Sequence, residues 1–246
     1  MKKKAGCGGL LVLAVMLAAS CSARVNAALS QEGSGNLSLQ ANLEPRTAAL
    51  IQALSRLNNP SAPATGKNIL DGRSIGASLG AAPGVQSVSL SNVSPVAITG
   101  TIAVAQVDSF LAVPENQGRG RFITYQKSGS GGRFTARLNR EISPKVMALL
   151  SPDAVDYLSA LMAPAATGEA LSKTEYVALV RSVYGRGIAE EIAGARVWAA
   201  VDFPGPISAI RGGTVSGASK NRAEFDIPLL DLLVLETPLE YEVSWN

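Results

Sequence analysis

The chain has 246 residues, of which 47% are hydrophobic, 17% charged and 5% aromatic. Because it contains no histidine, the sequence excludes Ser-His-Asp and Cys-His catalytic sites and His-ligated metal sites. The formal net charge of +3 favours an acidic partner such as nucleic acid only if the positive charge lies in the folded part of the chain.

The amino terminus has the pattern of a bacterial export signal. Residues 2–4 are lysines, and an uncharged apolar run follows from Leu10 to Ala19. A helix of about ten residues rises roughly 15 Å, half the thickness of a hydrocarbon core, so this run is too short to span a membrane. We expect a lipoprotein signal peptide over residues 1–20, a tether over 21–35 and a single domain over 36–246.

The segment Leu17–Cys21, with the sequence LAASC, resembles a relaxed bacterial lipobox. The resemblance implies that Cys21 is acylated with chains such as palmitate, becomes the first residue of the mature protein and anchors it to the inner or the outer membrane. Cleavage after Val25–Ala27 is the alternative, and it would release a secreted periplasmic protein. Cys7 lies inside the signal, so acylation of Cys21 would leave no thiol for a disulfide.

The positive charge belongs to the signal. Loss of residues 1–20 removes three lysines and no acid, which leaves 19 Lys and Arg against 19 Asp and Glu. The mature chain is therefore neutral, and we expect no nucleic-acid partner. The remaining charge is separated along the sequence, because residues 119–140 carry six basic residues and no acid, whereas residues 223–246 carry six acids and no base.

The first predicted elements of the domain are a strand and two helices. Apolar and polar residues alternate from Leu37 to Leu43, which predicts a strand with one buried face. Apolar residues at helical spacing predict a helix that begins at Pro45 and stops before Pro60, and a weaker helix from Ile69 to Leu79.

Residues 85–140 return to a period of two, and their last part predicts a basic hairpin that turns at Ser128–Gly132. Its cations could contact anionic headgroups or a glycan at a membrane surface, or they could pair with the acidic carboxyl-terminal strands of the same fold. The candidate contacts to an anionic surface are Arg119, Arg121, Lys127, Arg133, Arg137 and Arg140.

Two helices and a second set of strands complete the predicted fold. One helix begins at Ser151–Asp153, and another begins at Ser172, which has capping-box spacing to Glu175. The last fifty residues alternate again as strands. This order predicts an α+β fold with a mainly antiparallel curved sheet and two helix pairs packed on one side of it.

An apolar run interrupted by one acid lies between the last two predicted strands, from Leu229 to Leu235. It is either a buried connector or the apolar lip of a ligand cavity. The candidate ligand or membrane contacts in this run are Leu229, Leu230, Leu232, Leu233 and Leu235.

Three segments, Tyr157–Pro164, Phe203–Pro206 and Ile227–Leu235, resemble a spirochaetal (treponemal) family of lipoproteins that has no known activity. A fainter similarity covers Val201 to Trp245, where a strand ending in Pro-Gly is followed by the glycine-rich stretch 212–217 and a closing apolar strand. This part resembles the LppM-like lipoprotein domain of mycobacteria, which implies a curved sheet and helices around an apolar surface.

The sequence offers no catalytic residue, and we expect neither a metal nor a cofactor. The nearest carboxylate pairs, Glu190 with Glu191 and Glu240 with Glu242, are typical of solvated faces. The interpretation we favour is a membrane-anchored, non-enzymatic lipoprotein of the bacterial cell envelope that binds a hydrophobic or amphiphilic ligand or handles envelope lipids. A structural or assembly lipoprotein that docks an envelope protein is the alternative.

Overall fold

The structure, a computed structural model, describes residues 22–58, 68–112, 121–148 and 152–246. These residues form eleven strands and nine helices in a mixed α+β fold, which confirms the predicted class. The strands are β1 Ser22–Leu29, β2 Gly35–Asn42, β3 Val85–Ser94, β4 Ala97–Val104, β5 Ile123–Ser128, β6 Gly131–Leu138, β7 Arg196–Asp202, β8 Ile207–Arg211, β9 Thr214–Val215, β10 Arg222–Pro228 and β11 Leu239–Trp245. The helices are α1 Pro45–Asn58, α2 Gly72–Gly80, α3 Val107–Leu111, α4 Ser143–Met147, α5 Pro152–Ala160, α6 Pro164–Thr167, α7 Lys173–Tyr184, α8 Arg186–Gly194 and α9 Leu229–Val234.

The strands form two sheets that share one core. The larger sheet has the order β3-β4-β2-β1-β7-β10-β9, and the smaller has the order β5-β6-β11-β8. All neighbouring strands are antiparallel except β1 and β7, which are parallel. The mainly antiparallel sheet predicted from the sequence is therefore confirmed. The parallel pair of β1 and β7 at its centre was not predicted.

The expected tether over residues 21–35 is corrected by the structure, because residues 22–29 form β1 in the middle of the larger sheet. Strand β1 pairs with β2 on one side and with β7 on the other. Its side chains alternate, with Ala23 and Val25 buried and Ser22 and Arg24 exposed. Residues 22–29 thus belong to the folded domain and are not part of a tether. Cys21 and the predicted signal peptide lie outside the described residues.

Aromatic side chains from both sheets meet in the core. The ring of Trp245 on β11 lies 5.7 Å from the ring of Tyr125 on β5 and 4.9 Å from that of Phe203, which follows β7. Phe225 on β10 and Tyr241 on β11 form an edge-to-face pair at 5.6 Å between ring centroids. These contacts hold the inner face of the smaller sheet against the larger one.

The helices from α5 to α9 form a second apolar cluster, here called the helical cluster. Helix α7 begins with the predicted capping box, since the Ser172 hydroxyl accepts a hydrogen bond from the Glu175 N–H and the Glu175 carboxylate accepts one from the Ser172 N–H. Helix α7 ends before Gly185, whose φ of +89° starts α8 in a new direction. Helix α1 packs on α5 and α8, whereas α2 packs on β3.

In the part of the chain that the structure describes, no helix has the length and hydropathy needed to cross a membrane.

Candidate functional site

The apolar run from residue 229 to 235 forms helix α9 and belongs to the core. Leu229, Leu233 and Leu235 are 4%, 2% and 3% exposed, and Leu230 and Leu232 are half-buried. The helix begins after Pro228 and ends at Leu235, which adopts the left-handed conformation. Neither the cavity of about 560 Å³ beside α1 and α8 nor the groove at the start of β1 described below is lined by this run. The buried-connector interpretation of these leucines is therefore the one that the structure supports.

The basic hairpin, formed by β5 and β6, pairs with the acidic carboxyl terminus. Strand β6 lies beside β11, with Arg137 opposite Glu240 in the register. On the outer face of this sheet, Arg133 forms an ion pair with Glu242 at 3.4 Å. Glu240 forms its own ion pair with Arg211 of β8 at 3.0 Å. The separated charges of the sequence thus compensate each other within the smaller sheet.

The other cations of that hairpin are dispersed. Arg140 donates to the carbonyl oxygens of Val234, at 3.3 Å, and Leu171, at 2.6 Å, so it joins the end of β6 to the helical cluster. Lys127 donates to the carbonyl oxygen of Gln31. Arg121 is exposed, and Arg119 lies outside the described residues. The six candidate contacts to an anionic surface therefore do not form one site in the described part of the chain.

One of the two acidic pairs also differs from the expectation. Glu190 is solvated and pairs with Arg186 at 2.6 Å, and this hydrogen bond lowers the pKa of Glu190. Glu191, expected on a solvated face, instead accepts hydrogen bonds from the first turn of α1. Glu190 points in a different direction from Glu191, because adjacent side chains on a helix project about 100° apart around its axis. The described residues contain no group of three acidic or cysteine side chains that could hold a metal ion.

The site that the structure adds is a groove of about 690 Å³ at the start of β1, here called the β1 groove. It crosses the beginnings of β1, β4 and β7 and the ends of β2, β3 and β10. Its lining combines apolar side chains with a polar rim: Ser22, Ala23, Arg24, Gln40, Ala41, Asn42, Val93, Ala97, Ile98, Thr99, Arg196, Trp198 and Asp226.

Strand register brings the polar rim together. Arg24 of β1 is paired with Gln40 of β2 and with Trp198 of β7. Trp198 is in turn paired with Asp226 of β10. Paired residues in adjacent strands project to the same face, so these side chains form one row across the outer face of the larger sheet.

Of the two arginines that line the β1 groove, Arg196 is paired with a carboxylate of the described residues and Arg24 is not. Arg196 forms an ion pair with Asp226 at 2.6 Å, and that hydrogen bond raises the pKa of Arg196. The Arg24 guanidinium lies 5.9 Å from the centre of the Trp198 ring, within cation–π range. No ion pair involves Arg24 among the residues that the structure describes. Val93, which is 70% exposed, adds an apolar side chain to the rim.

Sequence reasoning missed the β1 groove because it placed Arg24 in a tether. The alternation of Ala23, Val25 and Ala27 with polar residues was the available signal for a strand. The proximity of Arg24 to Trp198 had no such signal, because the two residues are brought together only by the parallel pairing of β1 with β7.

No protein-family model matches the chain, and no curated protein matches it. Among solved structures, the chain is similar to the NMR structure of the folded domain of LppM from Mycobacterium tuberculosis, with a TM-score of 0.37 and 13% identity. The alignment covers 92% of this chain and 88% of the LppM domain. Values this low do not establish a shared function. The resemblance to treponemal lipoproteins finds no support in these comparisons.

Proposed function

We propose that the protein is a non-enzymatic lipoprotein of the bacterial cell envelope, anchored through acylated Cys21, that handles an amphiphilic ligand at the membrane surface. The observation that carries this proposal is the position of β1, which begins at Ser22. Consecutive Cα atoms lie about 3.8 Å apart, so an acyl anchor on Cys21 would be joined to the central sheet without an intervening linker.

This arrangement would hold the folded domain at the membrane. Ser22 is fixed between Asn42 of β2 and Arg196 of β7. A lipoprotein with a long tether can move away from its bilayer, whereas a strand attached directly to the acylated residue keeps the start of β1 near the headgroups. The β1 groove lies at that end of the strand, and its lining includes Ser22, the residue after the proposed anchor.

The same geometry argues against cleavage after Ala27. That cut would remove residues 22–27, which form most of β1. It would leave β2 and β7 without their shared neighbour, and it would take the buried side chains of Ala23 and Val25 out of the core. Unpaired edges in the middle of a sheet are unfavourable because their N–H and C=O groups lose their partners. Processing before Cys21 leaves the sheet complete.

The mature amino terminus tests the proposal. The full chain is expressed in a Gram-negative host with labelled palmitate, and the membrane fraction is analysed by mass spectrometry of the amino-terminal peptide. We expect a peptide that begins with acylated Cys21, no label in Cys21→Ala, and normal labelling in the matched control Cys7→Ala. A soluble protein that begins at Ala28 would overturn the proposal.

Ligand handling is tested separately by native mass spectrometry of the detergent-extracted lipoprotein. We expect a non-covalently bound lipid in addition to the covalent anchor. A Trp198→Ala variant should retain less of this lipid, whereas Leu230→Ala on α9, away from the groove, should retain as much as the unmodified chain. Equal retention in the two variants would assign the lipid to another part of the molecule.

A further inference from the structure

We infer that the β1 groove is the face with which the anchored domain contacts the bilayer, and that its occupants are anionic phospholipid headgroups. This inference rests on the proposed function, because it requires an acyl anchor immediately before Ser22. Three features of the groove carry it: its position at the anchored end of β1, the uncompensated charge of Arg24, and the exposed side chains at its rim.

The groove lies at the end of β1 that adjoins the proposed anchor. Ser22 lines the groove, so an anchor on the preceding residue would emerge at its wall. A diacylglyceryl group inserted in a leaflet brings the adjoining residues to the depth of the headgroups. The surface next to Ser22 is then the part of the domain that meets the membrane first.

The charge of the groove suits an anionic headgroup. The charged residues that line the groove are Arg24, Arg196 and Asp226, which together leave one positive charge. Asp226 is engaged by Arg196, so the Arg24 guanidinium is the group available to a phosphate. Arginine suits this role because its planar donors match phosphate oxygens. Cations near an anionic leaflet are attracted within a Debye length of the surface.

The rim of the groove carries side chains that suit a membrane–water interface. Tryptophan is enriched where proteins meet the membrane–water interface, and Trp198 lies half-buried beside Arg24. Val93 projects from β3 with 70% of its surface exposed. Val183 on α7 is also exposed, at 54%, but it does not line the groove. The two valines therefore provide a matched pair of reporter positions.

The test uses the acylated full-length protein reconstituted into vesicles of phosphatidylcholine alone or mixed with phosphatidylglycerol. Val93→Cys and Val183→Cys each introduce a single labelling site, since Cys7 is removed with the signal and Cys21 is acylated. Each cysteine carries a polarity-sensitive fluorophore. We expect a blue shift and several-fold weaker quenching by a water-soluble quencher at position 93 in the anionic vesicles, with no change at position 183.

Arg24 is tested in the Val93→Cys background. We expect Arg24→Gln to reduce the shift to the value seen in phosphatidylcholine alone, and Arg24→Lys to retain part of it. Equal fluorescence shifts at positions 93 and 183, or shifts that are the same with and without phosphatidylglycerol, would overturn the inference while leaving the anchor intact. Failure of the anchor itself is recognised separately, because an unacylated chain would not float with either kind of vesicle.

Discussion

Glu191 caps helix α1 through Thr47, although the two residues are 144 positions apart in the sequence. The Glu191 carboxylate accepts hydrogen bonds from the Thr47 N–H at 2.8 Å and from the Thr47 hydroxyl at 2.9 Å. Thr47 is 2% exposed, so water does not replace this partner readily. The first N–H groups of a helix have no intrahelical acceptor, and here an acid from α8 supplies one. The contact joins the first helix of the domain to the helical cluster.

We therefore expect Glu191→Ala to lower the free energy of unfolding by about 1–3 kcal/mol, because buried donors of Thr47 lose their acceptor. Chemical denaturation of the purified protein measures this change. Glu190→Ala is the matched control, since it removes an adjacent, solvated carboxylate that pairs only with residues at the surface. Equal losses in the two variants would show that Glu191 does not cap α1.

Replacement of Leu233 tests whether helix α9 is core. Leu233 is 2% exposed within the helical cluster, so Leu233→Ala should reduce the free energy of unfolding by about 2–5 kcal/mol. Leu230→Ala on the same helix is the control, and a smaller loss is expected because its side chain is half-buried. If Leu233→Ala left stability unchanged but reduced lipid binding, the run would be a ligand contact after all.

Arg140 should act as a structural residue and not as a surface cation. Its guanidinium donates to the carbonyl oxygens of Val234 and Leu171, and Arg140→Ala would leave both with one donor fewer. We expect a loss of about 1–3 kcal/mol in the free energy of unfolding. Arg140→Lys should recover little of it, because an ammonium group lacks the spread of the guanidinium donors. Arg137→Ala, at an exposed position of β6, should unfold like the unmodified protein.

Local sequence patterns were sufficient to predict those helices and strands whose boundaries are set by residues close together in the chain. The proline at position 45, the capping box of Ser172 and Glu175, and the alternation of β11 all correspond to elements of the structure. Helix α9 was not predicted, because an apolar run of seven residues suits either a buried strand or a buried helix. The β1 groove depends on pairing between strands far apart in sequence, and no local pattern specifies which strands become neighbours.

Gly132 illustrates that limit. The sequence assigns it to a turn, yet it lies within β6, directly opposite Trp245 of β11. A β-carbon at this position would overlap the Trp245 indole ring and the Gln126 carbonyl oxygen. We expect Gly132→Ala to destabilise the smaller sheet by about 1–3 kcal/mol, since overpacking forces neighbours from their positions.

The change in tryptophan fluorescence measures the response, because Trp245, one of the two tryptophans of the chain, is 3% exposed and stacks on Tyr125. Gly194→Ala is the matched control, as a β-carbon there meets no atom within 4 Å. It should leave both the fluorescence and the stability of the protein nearly unchanged. A Gly132→Ala protein with unaltered fluorescence and stability would contradict the packing described for β6 and β11.

The alkaline stability of the protein should depend on Tyr241. Burial of its ring against Phe225 raises the pKa of Tyr241 to about 12, and the charge of Asp231 contributes to the same direction. Below about pH 10 the phenol is protonated in both the folded and the unfolded chain, so its contribution to stability is complete. As the pH rises from about 10 to about 12, the unfolded chain loses this proton first, and stability falls.

Tyr241→Phe keeps the ring and removes the titrating group. The variant should therefore show a shallower decline in the free energy of unfolding across this alkaline range, measured by denaturant titration at successive pH values. Part of the decline should remain, because burial also raises the pKa values of Tyr125 and Tyr176. Tyrosinate absorbance of the folded protein provides the independent measurement. An alkaline decline identical in the two proteins would mean that the Tyr241 phenol ionises as freely in the fold as in the unfolded chain.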